Sequence, residues 1–377
     1  MKTTKNILII LSVFSFGLTN LAFSCESTDI EETIQSRYTP DYDNGDTIFI
    51  NVKIAIDEKG WNTKTPTYFK NELIRQWQQI NDRFNGSDKK KELKRVYVFK
   101  PDVDDIIVYK GCSYWGEDGA DTKVISQMDT TLFKLVVIYD FFYEGEEKGE
   151  YGGGCGNNNG IGTILVINGS EGMKNQYNDH FNVYTYRAIT HELGHFRGMT
   201  DLYANIIEAE NNPITHEKLM PPHCLMNDFC YTPDDESYWS DYAIRVINKA
   251  GNQKITDMIH TMMYNDFAQE LSFVITQNGN PVSAEIKLYP ATYSPKKWSN
   301  VLSDVPLHSY SAPVGKYKIE DLRKLFFDPQ GGGFGRYQVF LAEIVVGNEK
   351  KYEWLTDYMM HDCGLTGKKT YEIKIDF

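Results

Sequence analysis

Two histidines four residues apart, with a glutamate directly after the first, form the stretch of this sequence best suited to chemistry. They are His191, Glu192 and His195. On a helix both imidazoles project from one face and can share a metal ion. Glu192 is then placed to take a proton from water at that metal without being a ligand itself. The spacing predicts a zinc site with Glu192 as the catalytic base.

Two residues beyond the second histidine extend the pattern. Gly198 tolerates the left-handed conformation that ends helices, so the helix can stop just after His195 and the chain can turn back. Asp201 can then supply a carboxylate oxygen as the third protein ligand and leave a fourth position for water. Four other residues compete for the role of third ligand: His216, His223, Glu208 and Glu210. A glutamate in that role would make the site thermolysin-like.

The segment before the first histidine is predicted to be the helix that positions the site. Asn182 is a suitable N-cap, and Ile189, Leu193 and Phe196 fall along one apolar stripe. Such a stripe is typical of a helix with one buried side.

The stretch from His191 to Asp201 resembles the extended motif of the metzincin metallopeptidases, in which a histidine or aspartate stands where Asp201 does. Those enzymes have a methionine-containing turn beneath the zinc. Met226 lies 25 residues after Asp201, just after two prolines, and fits that turn. The resemblance implies a zinc endopeptidase acting on a protein or peptide substrate. Glu192 would pass the proton it takes from water to the leaving amine.

One position departs from the family pattern. Many metzincins have a tyrosine two residues after the turn methionine that helps to hold the transition state, and Asp228 occupies that position here. Tyr231 and Tyr203 are candidate substitutes. The strand-like run Thr163–Asn168 lies where metzincins keep the edge strand that aligns an extended substrate.

Short strand-like runs alternate with a helical stretch in the segment assigned to catalysis, residues 47–267. The helical stretch is Thr67–Phe84, with apolar residues at helical spacing. The strand-like runs are Thr47–Ile56, Arg95–Phe99, Lys134–Tyr139 and Thr163–Asn168. The pattern predicts an α+β fold, with an α/β-type metzincin-like domain built on a twisted mixed sheet. The glycine-rich run Tyr151–Gly160 lacks the ending of a phosphate loop and is predicted to be a flexible connection.

Residues 268–377 are predicted to form a separate all-β sandwich domain. The strand-like runs are Leu271–Gln277, Val282–Tyr289, Tyr337–Val346 and Tyr371–Phe377. Residues Gln277 to Pro281 have the composition of a hairpin turn. The stretch from Asn278 to Tyr289 resembles the prealbumin-like modules appended to extracellular enzymes.

The N-terminus has the features of an export signal. Lys2 and Lys5 precede the apolar run Ile7–Leu18, and small residues follow before Cys25. The site resembles the bacterial lipobox, which implies residues 1–24 as signal peptide, a lipid anchor on Cys25 and a tether through residue 46. The protein would then be a surface or periplasmic lipoprotein, with the outer membrane favoured. Ordinary secretory cleavage is the alternative.

Composition argues against one class of partner and does not determine which cysteines pair. A formal net charge of −13 in 377 residues argues against nucleic-acid binding, which needs clustered positive charge. Cys224 with Cys230, and Cys112 with Cys155, are two pairings that an oxidising compartment would allow. The acidic clusters at 102–105 and 234–236 lack calcium-ligand spacing and are predicted to be solvated loops.

A second function remains open from sequence alone. The chain could be a surface lipoprotein that binds a protein or glycan through the β-sandwich, with a vestigial metal site. The intact Glu192 argues against this, because a site without catalysis does not need the base.

Overall fold

The computed structural model describes residues 47–86, 93–110, 119–141, 152–158, 160–167, 180–227, 238–251, 263–294, 299–327 and 337–377. The chain divides into two compact units. The first contains Met1–Arg197, Phe229–Tyr238 and Gly251–Asp257, and the second contains Gly198–Asp228, Trp239–Ala250 and Met258–Phe377. Both units contain sheets, and strands outnumber helices in the described residues. A mixed α/β architecture with a sheet-rich portion is therefore confirmed.

The first unit is built on one five-stranded sheet. Its strands are β1 (Thr47–Asp57), β2 (Val96–Tyr109), β3 (Leu135–Asp140), β4 (Gly152–Asn158) and β5 (Ile161–Ile167). Their order across the sheet is β2-β1-β3-β5-β4. The first four in that order are mutually parallel, whereas β4 pairs antiparallel with β5. The helices of this unit are α1 (Glu58–Trp61), α2 (Pro66–Phe84), α3 (Ala120–Ile125) and α4 (Val183–His195).

The apolar pattern of α2 explains why this helix covers the sheet. Thr65 caps it by accepting a hydrogen bond from the Tyr68 amide. Its apolar residues at helical spacing are almost fully buried: Phe69, Leu73, Trp77, Ile80 and Phe84. All six residues of β3 are buried as well, as expected for a parallel strand with both faces covered. The predicted helix and strands of this region are confirmed to within a few residues at most boundaries.

The glycine-rich run is part of the sheet, which corrects two predictions. Residues 152–158 form β4, although glycine disfavours strands, because seven residues in succession pair with β5. Among the described strands β2 and β4 form the two edges, and β5 lies inside the sheet between β3 and β4. The expected flexible connection is therefore wrong for residues 152–158, and so is the edge position expected for Thr163–Asn168. Asn168 itself lies outside the described residues.

The acidic cluster at 102–105 lies within β2 rather than in a loop, which corrects another prediction. The pairing of β1 with β2 shifts register between Lys53 and Ala55. The buried Lys53 ammonium lies 2.9 Å from an Asp102 carboxylate oxygen and 2.7 Å from one of Asp105. A lysine thus supplies the positive charge at this cluster. The second cluster, 234–236, is outside the described residues.

The second unit contains two sheets. Its strands are β6 (Glu270–Gln277), β7 (Asn280–Pro281), β8 (Ala284–Ser294), β9 (Ser299–Leu302), β10 (His308–Ala312), β11 (Lys316–Ile319), β12 (Val339–Val346), β13 (Glu349–Thr356) and β14 (Thr370–Asp376). One sheet has the order β10-β8-β12-β13 with β9 on β8, and the other has β11-β6-β14 with β7 on β6. Its helices are α5 (Asp241–Ala250), α6 (Arg323–Phe326) and α7 (Asp357–Leu365).

One apolar cluster takes residues from both of these sheets. Phe273 and Ile375 come from the β6 sheet, and Ile286 and Phe340 come from the β8 sheet. The predicted turn between β6 and β7 is confirmed, since Asn278 and Gly279 both have positive φ, at 51° and 76°. Within the described residues, no helix has the length and apolar character needed to cross a bilayer.

Candidate metal centre

Helix α4 begins at the predicted cap. The Asn182 side-chain oxygen accepts a hydrogen bond from the Thr185 amide at 3.0 Å, which satisfies one of the donors left free at a helix start. Ile189 and Leu193 are fully buried and Phe196 nearly so, as the apolar stripe predicts. The helix is thereby fixed against the sheet, with its two histidines on a defined face.

The two histidines and Asp201 come close enough to share one ion. His191 is 1% exposed and His195 is 4% exposed, and their rings meet edge to face with centroids 5.0 Å apart. A ring nitrogen of each and a carboxylate oxygen of Asp201 all lie within 4.8 Å of one another. Two imidazole nitrogens and one carboxylate oxygen form a donor set that can hold a divalent metal ion.

The chain reversal after α4 depends on a glycine. The Arg197 amide donates to the Gly194 carbonyl at 2.9 Å, and Gly198 follows with φ of 88°. A side chain at this φ would be strained, so glycine is the residue that suits the turn. The predicted left-handed glycine is confirmed.

Met226 lies next to the ligand loop. It is fully buried, and its carbonyl accepts a hydrogen bond from the amide of Leu202, the residue after Asp201, at 3.0 Å. The turn that contains Met226 is thus tied by the backbone to the segment that carries the third candidate ligand.

Glu192 has a buried oxygen that needs a donor. The Oε2 atom lies 4.0 Å from His195 Nε2, and the side chain is 13% exposed. Within the described part of the chain this oxygen accepts no hydrogen bond. A buried acceptor of this kind normally has a partner. A water molecule held at the adjacent histidines would supply one, so the residues fit a metal with a coordinated water.

Arg197 and His180 show how the ends of the helix are anchored. Burial lowers the pKa of Arg197 to about 10, with the Tyr97 phenol acting in the opposite direction, and its Nη1 donates to the Gly251 carbonyl. Burial lowers the pKa of His180 to about 4, and its Nε2 donates to the Asp140 carbonyl at 2.5 Å. Both residues anchor the backbone on either side of α4.

Several candidate residues are absent from the metal-capable groups or lie outside the described residues. Among the described residues, the metal-capable groups do not include the competing third ligands His216, His223, Glu208 or Glu210. Tyr203 lies in a 3₁₀ turn directly after Asp201. Outside the described residues lie Cys25, Cys112, Asp228, Cys230 and Tyr231.

Sequence reasoning missed one residue of this centre. The sulfur of Cys155, a carboxylate oxygen of Glu192 and a ring nitrogen of His195 also lie within 4.8 Å of one another. Cys155 is in β4, inside the glycine-rich run that was expected to be a flexible connection. The strand alternation that points its side chain toward α4 is hidden by the surrounding glycines.

Comparisons with known proteins do not assign this chain to a family. No protein-family model matches it, and no curated protein sequence matches it. One solved structure that matches is titled "Structure of a chaperone-substrate complex", with 14% sequence identity and a TM-score of 0.31. The match covers 56% of this chain and 38% of the other, so this chain spans well under two thirds of that protein's length.

Proposed function

We propose that this protein is a zinc-dependent endopeptidase that hydrolyses peptide bonds at the centre formed by His191, His195 and Asp201. The observation that carries the proposal is the approach of these three donors to within 4.8 Å beside a buried glutamate oxygen that needs a donor. A ligand set alone would fit a structural site. A carboxylate beside it that is not needed as a ligand favours catalysis.

The donor chemistry favours zinc over other metals. Magnesium and calcium prefer sites built only of oxygen, whereas two imidazoles with one carboxylate are typical of catalytic zinc. Three protein ligands leave a fourth position for the reactant. When bound there, zinc would lower the pKa of a coordinated water and polarise the substrate carbonyl.

The protein's own side chains bind the metal and transfer the proton. The two histidines and Asp201 hold the metal in a largely buried setting, where charge interactions are stronger than in water. Glu192 Oε2 accepts the proton of the attacking water and returns it to the leaving amine nitrogen. One carboxylate thereby acts first as base and then as acid.

The strand at the sheet edge supports a peptide as substrate. β4 is one of the two edge strands of the sheet among the described strands, and it carries Cys155 close to Glu192 and His195. An extended peptide adding to this edge would make main-chain hydrogen bonds and would bring its carbonyls past the metal. Such pairing recognises the peptide backbone, so we expect the enzyme to accept substrates with many different side chains.

We also propose that the protein is a metzincin-like enzyme and that it is exported from the cell. The His191–Asp201 motif, the left-handed Gly198 and the buried Met226 support a metzincin-like enzyme. The leader before Cys25 supports an exported protein anchored by a lipid on that cysteine, at the cell surface or in the periplasm.

The test is a comparison of metal content and cleavage in one charge-changing variant. The chain without its predicted leader is purified with zinc, and its metal content and casein cleavage are measured beside those of Glu192→Ala. We expect one zinc per chain in both proteins, with cleavage lost in the variant and in wild type treated with a chelator.

A matched control is Glu210→Ala, which removes a carboxylate that is exposed and outside the metal-capable groups. It is expected to keep both zinc and cleavage. Cleavage that survives Glu192→Ala, or a wild-type chain that takes up no zinc, contradicts the proposal and favours the binding function considered from the sequence.

A further inference from the structure

The segment that carries the third candidate ligand belongs to the second compact unit. Residues 198–227 contain Asp201 and Met226, and they group with the residues of both sheets of that unit. Within residues 198–227 the regular elements are two short 3₁₀ turns, Leu202–Asn205 and Ala209–Asn211. Such a segment needs support from its surroundings to hold a ligand in one place.

The middle of this segment packs on the sheet that contains β8 and β12. Two backbone hydrogen bonds join Ile207 and Leu219, one from the Ile207 amide at 3.2 Å and one from the Leu219 amide at 2.9 Å. Both side chains are buried. They share an apolar cluster with five residues of β8, β9 and β12: Tyr289, Ala291, Leu302, Val339 and Leu341.

The alternation along β12 shows which face of the sheet the segment covers. Val339 and Leu341 belong to the cluster with the segment, whereas Phe340 and Ile344 belong to the cluster that both sheets share. Successive residues of a strand point to opposite faces. The segment therefore covers the outer face of the sheet, the face that an antiparallel sheet commonly leaves to solvent.

Strand β9 holds the start of the segment by hydrogen bonds. The Asn300 side-chain amide donates to the carbonyl of Ala204, three residues after Asp201. The neighbouring Ser299 Oγ accepts a hydrogen bond from the Asn211 side-chain amide at 2.7 Å. The backbone close to the third candidate ligand is thereby attached to the sheet.

The end of the segment is held through helix α5. The Ser240 amide, directly before α5, donates to Cys224 Sγ at 3.4 Å. Arg245 of α5 donates two hydrogen bonds to the Asp362 carboxylate of α7, at 2.6 and 2.9 Å. Because α7 directly follows β13, the turn that contains Met226 is connected to the same sheet by a second route.

We propose that the outer face of the β8 sheet positions Asp201 as the third metal ligand, with Leu341 and Asn300 as positioning residues. This inference rests on the proposed function, since it needs a zinc ion bound by Asp201. A ligand that is already ordered loses less conformational freedom when the metal binds, so the metal binds more tightly. Loosening these contacts weakens zinc binding although every ligand is still present. The C-terminal sheets are then needed for the metal centre as well as for folding.

Two truncations on β12 separate positioning from folding stability. Leu341→Ala removes side-chain atoms from the outer cluster, and Ile344→Ala removes the same number from the cluster between the sheets. Both are expected to lower the urea midpoint, because each leaves a cavity among buried side chains. Zinc affinity is measured by competition with a chromophoric chelator, on protein shown to be folded by near-ultraviolet circular dichroism. It is expected to fall about 10- to 100-fold in Leu341→Ala and to stay within about twofold of wild type in Ile344→Ala.

Asn300→Ala makes the test independent of core packing. The Asn300 side chain is half-buried, and the variant loses the hydrogen bond to the Ala204 carbonyl. Asn280→Ala is a matched control, because the exposed Asn280 side chain also donates to a backbone carbonyl, that of Asn278 at 3.3 Å. We expect zinc affinity to fall about 10-fold in Asn300→Ala and to be unchanged in Asn280→Ala.

A double variant tests whether the outer face acts through Asp201. The third ligand is already weakened in Asp201→Asn, so adding Leu341→Ala should lower zinc affinity by less than about twofold further. Equal losses of affinity in Leu341→Ala and Ile344→Ala, or unchanged affinity in Asn300→Ala, overturn the positioning role and leave the metal centre standing. Fully additive losses in the double variant do the same. A wild-type chain that binds no zinc overturns this inference together with the proposed function.

Discussion

At the scale of single residues, the centre combines nearly buried donors with a Glu192 oxygen that has no donor among the described residues. His191 and His195 are held by a capped helix, whereas Asp201 reaches them only because the chain reverses at Gly198. The metal affinity should therefore depend on the third ligand and on the turn that delivers it, as well as on the histidines.

Asp201→Asn tests the third ligand. The amide has the same shape but no charge, so zinc loses one anionic donor. We expect zinc affinity to fall by at least about 100-fold, more than the loss typical of outer-shell changes. Competition with a chromophoric chelator measures the affinity. Glu208→Gln, which neutralises a competing candidate near Lys218, should leave the affinity within about twofold. A larger loss of zinc affinity in Glu208→Gln than in Asp201→Asn would instead identify Glu208 as the third ligand.

Gly198→Ala tests the turn. A methyl group at φ of 88° costs roughly 1–2 kcal/mol of folding stability, and relief of that strain would move Asp201 away from the histidines. We expect a lower denaturation midpoint in urea and weaker zinc binding. Ala188→Gly, in the interior of α4, is a control that also lowers stability but leaves the turn intact. Unchanged zinc affinity in Gly198→Ala would show that the turn does not set the ligand position.

The residues of this centre differ in how far the sequence could predict them. The spacing of His191, Glu192, His195, Gly198 and Asp201 is local, and helix periodicity alone places them. Cys155 reaches the same helix only through the pairing of β4 with β5. That contact is distant in sequence, and no periodic pattern within a run of glycines indicates it.

At the scale of elements, the site depends on how closely α4 approaches the sheet. A Cβ at Gly162 in β5 would lie 2.5 Å from the Phe196 ring at the end of α4. Glycine at this position lets the helix end pack against the strand. The sequence predicted the helix and the strand, but it gave no sign of this close approach, because nothing in a strand pattern indicates which residue faces a ring.

Gly162→Ala tests this packing. The added methyl must push the Phe196 ring and with it the end of the helix, so we expect a loss of about 1–3 kcal/mol in the free energy of unfolding. Zinc affinity should fall as well, since His195 directly precedes Phe196. The double variant Gly162→Ala/Phe196→Leu, which makes room for the methyl, should recover part of both losses. Additive losses in the double variant would contradict the contact.

At the scale of the whole molecule, the second unit contains an ionisable group that ties stability to pH. Burial raises the pKa of Asp357 to about 7, against the hydrogen bond that its Oδ1 accepts from the Tyr358 amide. Between the ordinary pKa of 3.8 and about 7, the folded chain holds one more proton here than the unfolded chain. The contribution to stability is fully present below about pH 4 and is lost as the pH rises through 7.

Asp357→Asn removes this dependence, because the amide is neutral at every pH and can still accept from the Tyr358 amide. We expect the variant to raise Tm more at pH 8 than at pH 4, measured by calorimetry. Burial lowers the pKa of His361 to about 3, so this residue has the opposite pH dependence. Its contribution to folding stability decreases as the pH falls below 6.5. It is present in both proteins, so its effect cancels in the comparison. An equal shift in Tm at both pH values, as expected for the exposed control Asp304→Asn, would contradict the assignment.

The overall architecture could be predicted in outline. Alternating and apolar runs predicted four of the five described strands of the first unit but only four of the nine in the second, and helical spacing predicted α2 and α4. The sheet order could not be predicted, because strand pairing is decided by contacts between distant segments. For the same reason the glycine-rich strand and the buried Lys53 were missed.

Peptide-bond hydrolysis by this protein is proposed to depend on zinc and on Glu192. Its most direct test is mass-spectrometric mapping of a peptide library incubated with wild type and with Glu192→Gln at equal, verified zinc content. The substitution keeps the shape of the side chain and removes its basicity, so zinc binding is preserved and proton transfer is lost. We expect new peptide termini with wild type, and a rate of their formation several orders of magnitude lower with the variant. Equal cleavage by the two zinc-loaded proteins, or no cleavage by zinc-loaded wild type, would contradict this function.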